Sequence, residues 1–167
     1  GLELPDFRAA ERTFQLLAQV AGRAGRGDRP GRVIVQTYRP DAPCVTAAAA
    51  HDYRAFYATE LAARADLGYP PHGRLVAVRV DAVDASAAHN TANRAANLAQ
   101  KVGEPLGVDV LGPAPAPLAR LRGRSRYVLW LRAADRNALR RVVRAIASVE
   151  ADPGIRFVVD IDPMSAL

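Results

Sequence analysis

Residues 73–167 predict a two-layer α+β domain with elements in the order β-α-β-β-α-β, and three observations carry that prediction. Apolar, β-branched runs at about 74–81, 107–112, 125–132 and 155–161 read as strands. Two longer stretches between them, about 85–102 and 135–149, place apolar residues at helical spacing. Turn-forming residues stand at the junctions, first Gly103 and Pro105, then Asp152-Pro153-Gly154. This order is the split β-α-β, or ferredoxin-like, arrangement.

The preceding residues read as a helix, a strand and a linker. Asp6 suits a helix N-cap, and Ala10, Phe14, Leu17 and Ala21 recur at helical spacing until Gly25 and Gly27 stop the helix. Residues 31–38 are apolar and β-branched, which predicts a strand whose edges lack partners. Pro40, Pro43 and Cys44 mark a linker, and a helix over 51–64 places Tyr53, Phe56, Tyr57 and Leu61 on one face. The expected organisation is therefore 1–40, a linker with a helix over 41–72, and the α+β domain over 73–167.

Within that domain, Asp135 suits the N-cap of the second helix, which is expected to run to about 149. Between the second and third strands, the Pro-Ala run at 113–117 predicts a stiff approach to a flexible loop. That loop carries Arg120, Arg122, Arg124 and Arg126 around Gly123. In the third strand, Tyr127, Leu129 and Leu131 share one face, while Arg126, Val128, Trp130 and Arg132 share the other.

The charge pattern points to an anionic partner. The chain of 167 residues has a net charge of +6. Residues 114–149 hold nine arginines against the single acid Asp135, which gives that segment +8. Such concentration is the footprint of an anion-binding face, nucleic acid first. Guanidiniums bind phosphate bidentately, and an exposed tryptophan between arginines can stack bases. This marks Arg120, Arg122, Arg124, Arg126, Trp130 and Arg132 as candidate DNA-binding residues. Arginines in the loop are also compatible with docking on acidic protein surfaces or with plain solvation. Leu75, Val128, Trp130 and Val158 are also compatible with packing against the 51–66 helix or another lobe.

Other chemistries find no support. Cys44 is the only cysteine, which excludes an internal disulfide and a multi-cysteine zinc site within this chain. His51, His72 and His89 have no ligand spacing, and Ser125 and Ser165 have no elbow or triad context. Asp160 and Asp162 at a strand end are too few oxygens for a metal site. No basic leader or run of spanning length occurs, so the expectation is a cytoplasmic protein with no membrane partner.

The run Gln19-Val20-Ala21-Gly22-Arg23-Ala24-Gly25-Arg26-Gly27 resembles the sixth conserved motif of superfamily 2 helicases. Leu4-Pro5-Asp6-Phe7 and Thr13-Phe14-Gln15-Leu16-Leu17 lead into it, and Gly31-Arg32-Val33-Ile34-Val35-Gln36-Thr37 follows. Leu67-Gly68-Tyr69-Pro70-Pro71, Val110-Leu111-Gly112-Pro113-Ala114-Pro115 and Asp160-Ile161-Asp162-Pro163 come later. In this order, these segments are similar to the C-terminal end of the PriA family of bacterial replication restart proteins.

The resemblance implies that 1–40 ends the second RecA-like helicase lobe, with Gln19, Arg23 and Arg26 turned towards a nucleotide. It also implies a parent resembling an ATP-dependent 3′–5′ DNA helicase, associated with the nucleoid, whose ATP, Mg²⁺ and zinc are held elsewhere. No P-loop occurs in this chain, so it is expected to bind no cofactor and to be inactive alone. The implied partners are forked and single-stranded DNA, primosome proteins and single-strand-binding protein. Two other readings stay open: a protein-interaction module docking on helicase lobes or acidic tails, and an RNA-binding domain like a ribosomal protein.

Overall fold

Two stacked aromatic rings hold the N-terminal helices together. In the computed structural model, which describes residues 6–24, 31–149 and 153–164, the chain divides into two compact units between Ala63 and Arg64. In the first unit, Asp6 accepts the Arg8 N–H on Oδ1 (3.0 Å) and the Ala9 N–H on its backbone carbonyl (2.9 Å), starting helix α1, Ala9–Ala21. Its other carboxylate oxygen pairs with Arg12 at 2.9 Å. The helix ends at Gly22, earlier than expected; Gly25 and Gly27 lie outside the described residues.

Helix α2, Pro43–Ala49, forms where the sequence suggested only a linker. Pro43 sits at the first helical position, where its missing N–H costs nothing, and the alanines that follow are the strongest helix formers. Helix α3, Tyr53–Asp66, begins beside Asp52, whose carboxylate accepts the Ala55 N–H at 2.9 Å. Phe14 of α1 and Phe56 of α3 stack with centroids 4.4 Å apart and planes 3° from parallel. Cys44, Ala47 and Ala48 complete this core. Phe56 is the buried member of the expected aromatic face, while Tyr53 and Tyr57 remain exposed.

Residues 31–38 do not form the expected strand. A strand needs a neighbour to take its N–H and C=O groups, and no strand pairs with this segment among the described residues. Val33, Ile34 and Val35 are left exposed in consequence.

The second unit is the expected β-α-β-β-α-β. Strands β1 (Arg74–Ala82), β2 (Asp109–Leu121), β3 (Arg124–Ala133) and β4 (Arg156–Ile161) form a four-stranded sheet in the order β2-β3-β1-β4. Every neighbouring pair is antiparallel. Helices α4 (Ala85–Gly103) and α5 (Arg136–Ile146) pack on one face, over Val76, Val78, Leu129 and Leu131. On α4 the buried side chains are almost all methyl-sized: Ala88, Ala92, Ala95, Ala96 and Ala99. Asp84 and Asp135 cap the two helices, accepting the N–H groups of Ser86 (2.9 Å) and Asn137 (2.8 Å). Helix α5 stops at Ile146, short of the expected 149.

The principal departure is in β2, which runs to Leu121 instead of ending near 112. Two register shifts, at Leu111/Ala114 and Pro115/Arg120, carry the strand past Pro113, Pro115 and Pro117, which have no N–H for the ladder. Gly112 permits the first shift: its φ is +100°, and a Cβ there would stand 2.9 Å from the Val128 carbonyl. The expected flexible loop is therefore the end of a paired hairpin. Among the described residues, no helix is long and apolar enough to cross a membrane.

Two measurements check this account. Asp135→Ala removes an N-cap acceptor and is expected to lower unfolding free energy by about 1 kcal/mol in urea denaturation. Burial pushes the Cys44 thiol above its ordinary range. Alkylation of the native chain at pH 8 is therefore expected to be far slower than in urea, where the thiolate is both more abundant and accessible.

Candidate nucleic-acid interface

The hairpin between β2 and β3 closes on two residues, Arg122 and Gly123, flanked by the pair Leu121↔Arg124. Both turn residues have positive φ, +51° at Arg122 and +76° at Gly123. Two positive values identify the turn type whose twist suits a tight hairpin, and which favours Asn, Asp or Gly in its first position. An arginine there costs roughly 1–2 kcal/mol of backbone strain relative to glycine. Local stability does not account for that choice. Arg122 is exposed and has no hydrogen-bond or ion-pair partner among the described residues.

Beside the turn lies a cleft of about 320 Å³ on the sheet face that the helices leave uncovered. Arg79, Asp81, Arg122, Arg124, Arg126 and Arg156 line it, with Leu121 and Val158. The cross-strand register explains the gathering. Asp81 on β1 stands opposite Arg126 of β3 on one side and Arg156 of β4 on the other. Two of the arginines have their own carboxylates. Arg124 donates through Nε to Asp81, and its Nη2 reaches the Asp81 and Gly154 carbonyls at 2.8 and 2.7 Å. Arg79 pairs with Asp160 at 2.7 Å. Arg126 makes, among the described residues, only a long bond, 3.4 Å, to the Leu118 carbonyl.

The remaining candidates lie apart from this cleft. Arg120 pairs in register with Ser125 and is exposed. Trp130 is partly buried, packed against Ala77, Ala116 and Val128. The Pro-Ala run of β2 thus supplies the neighbour that a sequence reading sought in a helix. Arg132 works as a clamp. Its Nε and Nη2 donate to Asp109 at 3.1 and 2.8 Å, its Nη1 donates to the Leu67 carbonyl, and its guanidinium lies 5.8 Å over the Tyr69 ring. Asp81 escaped the sequence reading, because its partner Arg124 is 43 residues away and nothing local signals the pair.

In the first unit, Gln19 occupies the last turn of α1 and Arg23 follows the Gly22 cap; both are exposed. Arg26 lies outside the described residues. Among the described residues no three His, Cys, Asp or Glu side chains come together in a group that could hold a metal ion.

A family profile described as the primosomal protein N C-terminal domain matches residues 65–164. The chain belongs to the PriA family. Replication restart protein PriA of Bacillus subtilis is 44% identical over 132 residues, covering 75% of this chain and 16% of that protein. The Synechocystis PriA is 43% identical over 131 residues, covering 78% and 16%. The Treponema pallidum PriA is 41% identical over 168 residues, covering 100% and 25%. The chain thus spans between a sixth and a quarter of the length of these PriA relatives. The PriA profile includes all four strands of the second unit and with them the arginine cleft.

The pair Asp81–Arg124 is expected to be structural. Asp81 is 8% exposed, and replacing it with Asn leaves the Arg124 guanidinium without its counter-charge. Asp81→Asn is expected to cost roughly 1–3 kcal/mol in urea denaturation, with near-native far-ultraviolet circular dichroism below the transition.

Proposed function

We propose that the second unit binds DNA, forked or single-stranded, by its backbone, as part of a replication restart protein that helps reload the replisome. The observation that carries this reading is Arg122, held at positive φ on the tip of a hairpin and left without a partner among the described residues. Arg126 and the exposed Arg156 extend the same positive surface, while Arg120 stands near the tip on the hairpin's other register face. Contacts of this kind track phosphates, so they confer affinity for shape and charge without reading bases. The names of the PriA relatives agree with replication restart as the setting.

The same reading gives Gln19, Arg23 and Arg26 a place facing nucleotide in a longer helicase. Hydrolysis there would need a P-loop and Mg²⁺ site from other residues. It also puts the protein in the cytoplasm, at the nucleoid.

A second anionic partner is favoured by a separate observation. Arg136, Arg140 and Arg144 recur along α5 at one-turn spacing, all exposed and without carboxylate partners among the described residues. Like charges at that spacing disfavour a helix. A primosome partner with an acidic segment, such as single-strand-binding protein, would relieve the repulsion.

Fluorescence anisotropy of the 167-residue chain with single-stranded and fork DNA across a salt series tests the main reading. The wild type is expected to bind with strong salt dependence. A variant with Arg120→Ala, Arg122→Gly and Arg126→Ala is expected to bind more weakly, with a slope shallower by about 2 if three phosphate contacts are lost. Glycine at 122 suits the turn, so folding is retained. Absence of wild-type binding at low salt would move these arginines to protein docking.

A further inference from the structure

Three guanidiniums line one end of the uncovered sheet face with no carboxylate of their own among the described residues. In the cleft, Arg124 is balanced by Asp81 and Arg79 by Asp160, which leaves Arg122, Arg126 and Arg156 in excess among the described residues. They arrive from three different elements: the hairpin turn, β3 and β4. Asp81 between Arg126 and Arg156 holds its own bond to Arg124, and so does not neutralise either neighbour.

Cations converging on one cleft repel unless an anion sits among them. A phosphodiester in the middle of a strand offers a single charge. A terminal phosphate monoester carries about −1.5 to −2 near neutral pH, with three strong acceptor oxygens. The charge and the number of acceptors match three unbalanced guanidiniums better than a diester does, and guanidinium is the side chain suited to forked contacts with phosphate oxygens.

We propose that this cleft seats the terminal phosphate of a nucleic-acid strand, held by Arg122, Arg126 and Arg156. The inference rests on the DNA-binding reading for the source of the phosphate, but not for the chemistry of the seat. It adds recognition of a strand end to a surface otherwise expected to follow backbone alone.

Two experiments on the 167-residue chain separate these layers. In the first, arginine Nε–Hε resonances are followed by NMR while orthophosphate is added at constant ionic strength. Saturable shifts at Arg122, Arg126 and Arg156 are expected, and both Arg156→Ala and Arg122→Gly are expected to weaken them. Absence of saturable shifts overturns the seat. The second compares, by anisotropy, internally labelled oligonucleotides of one sequence with a 5′ phosphate, a 3′ phosphate or hydroxyl ends. One phosphorylated end is expected to bind about tenfold tighter than the hydroxyl-ended strand, the equivalent of one charge-assisted contact. In Arg156→Ala that ratio is expected to fall towards one. Equal binding of all three oligonucleotides overturns the terminal seat and leaves the DNA-binding reading standing. Orthophosphate binding with no oligonucleotide binding overturns the strand end as the source, along with the DNA reading.

Discussion

The second unit depends on the alternation of side chains along β1. Val76, Val78 and Val80 point to the helices and are buried, while Leu75, Ala77, Arg79 and Asp81 occupy the opposite face. Because β1 lies between β3 and β4, its register sets both neighbours: Val78 meets Leu129 and Val159, and Asp81 meets Arg126 and Arg156. A slip of one residue would drive Asp81 and Arg79 into the helix-side core, where burying an unpaired charge is prohibitive. The apolar core and the arginine cleft are consequences of the same register.

The two sheet faces solve different problems. Helices α4 and α5 cover one, and the run of alanines on α4 limits the volume to be packed there. The other is covered in part by the chain itself, because β2 carries Ala116 over Ala77, Val128 and Trp130. Apolar packing ends where the charges begin. Beyond it, two ion pairs fix Arg79 and Arg124, and the next three arginines are left to solvent or to an anion. The strained Arg122 sits at the far end of this gradient, on a hairpin whose own stability would favour a smaller residue. Strain without an internal return is a reason to look for an external ligand.

The helices of the first unit show how local preference and tertiary need part company. Proline at the head of α2 looked like a linker residue, yet its fixed φ suits a first helical position. The β-branched run at 31–38 has strong strand preference but no strand beside it among the described residues, and a preference without a hydrogen-bonding partner does not make a strand.

The sequence by itself determined the order of elements in the second unit, the cap at Asp135, and the sharing of strand faces by Leu129 and Val128 with their neighbours. These follow from periodicity, turn residues and short-range hydrogen bonds, all of which span a few positions. Similarity along its segments also determined the PriA family. The tertiary structure alone decided that the proline-rich stretch continues as β2, that Trp130 packs on Ala116, and that Arg132 clamps Leu67, Tyr69 and Asp109. It alone separated the balanced arginines from the unbalanced ones. The reason is distance along the chain: Asp81 and Arg124 are 43 residues apart, Arg79 and Asp160 are 81 apart, and only strand register brings either pair together.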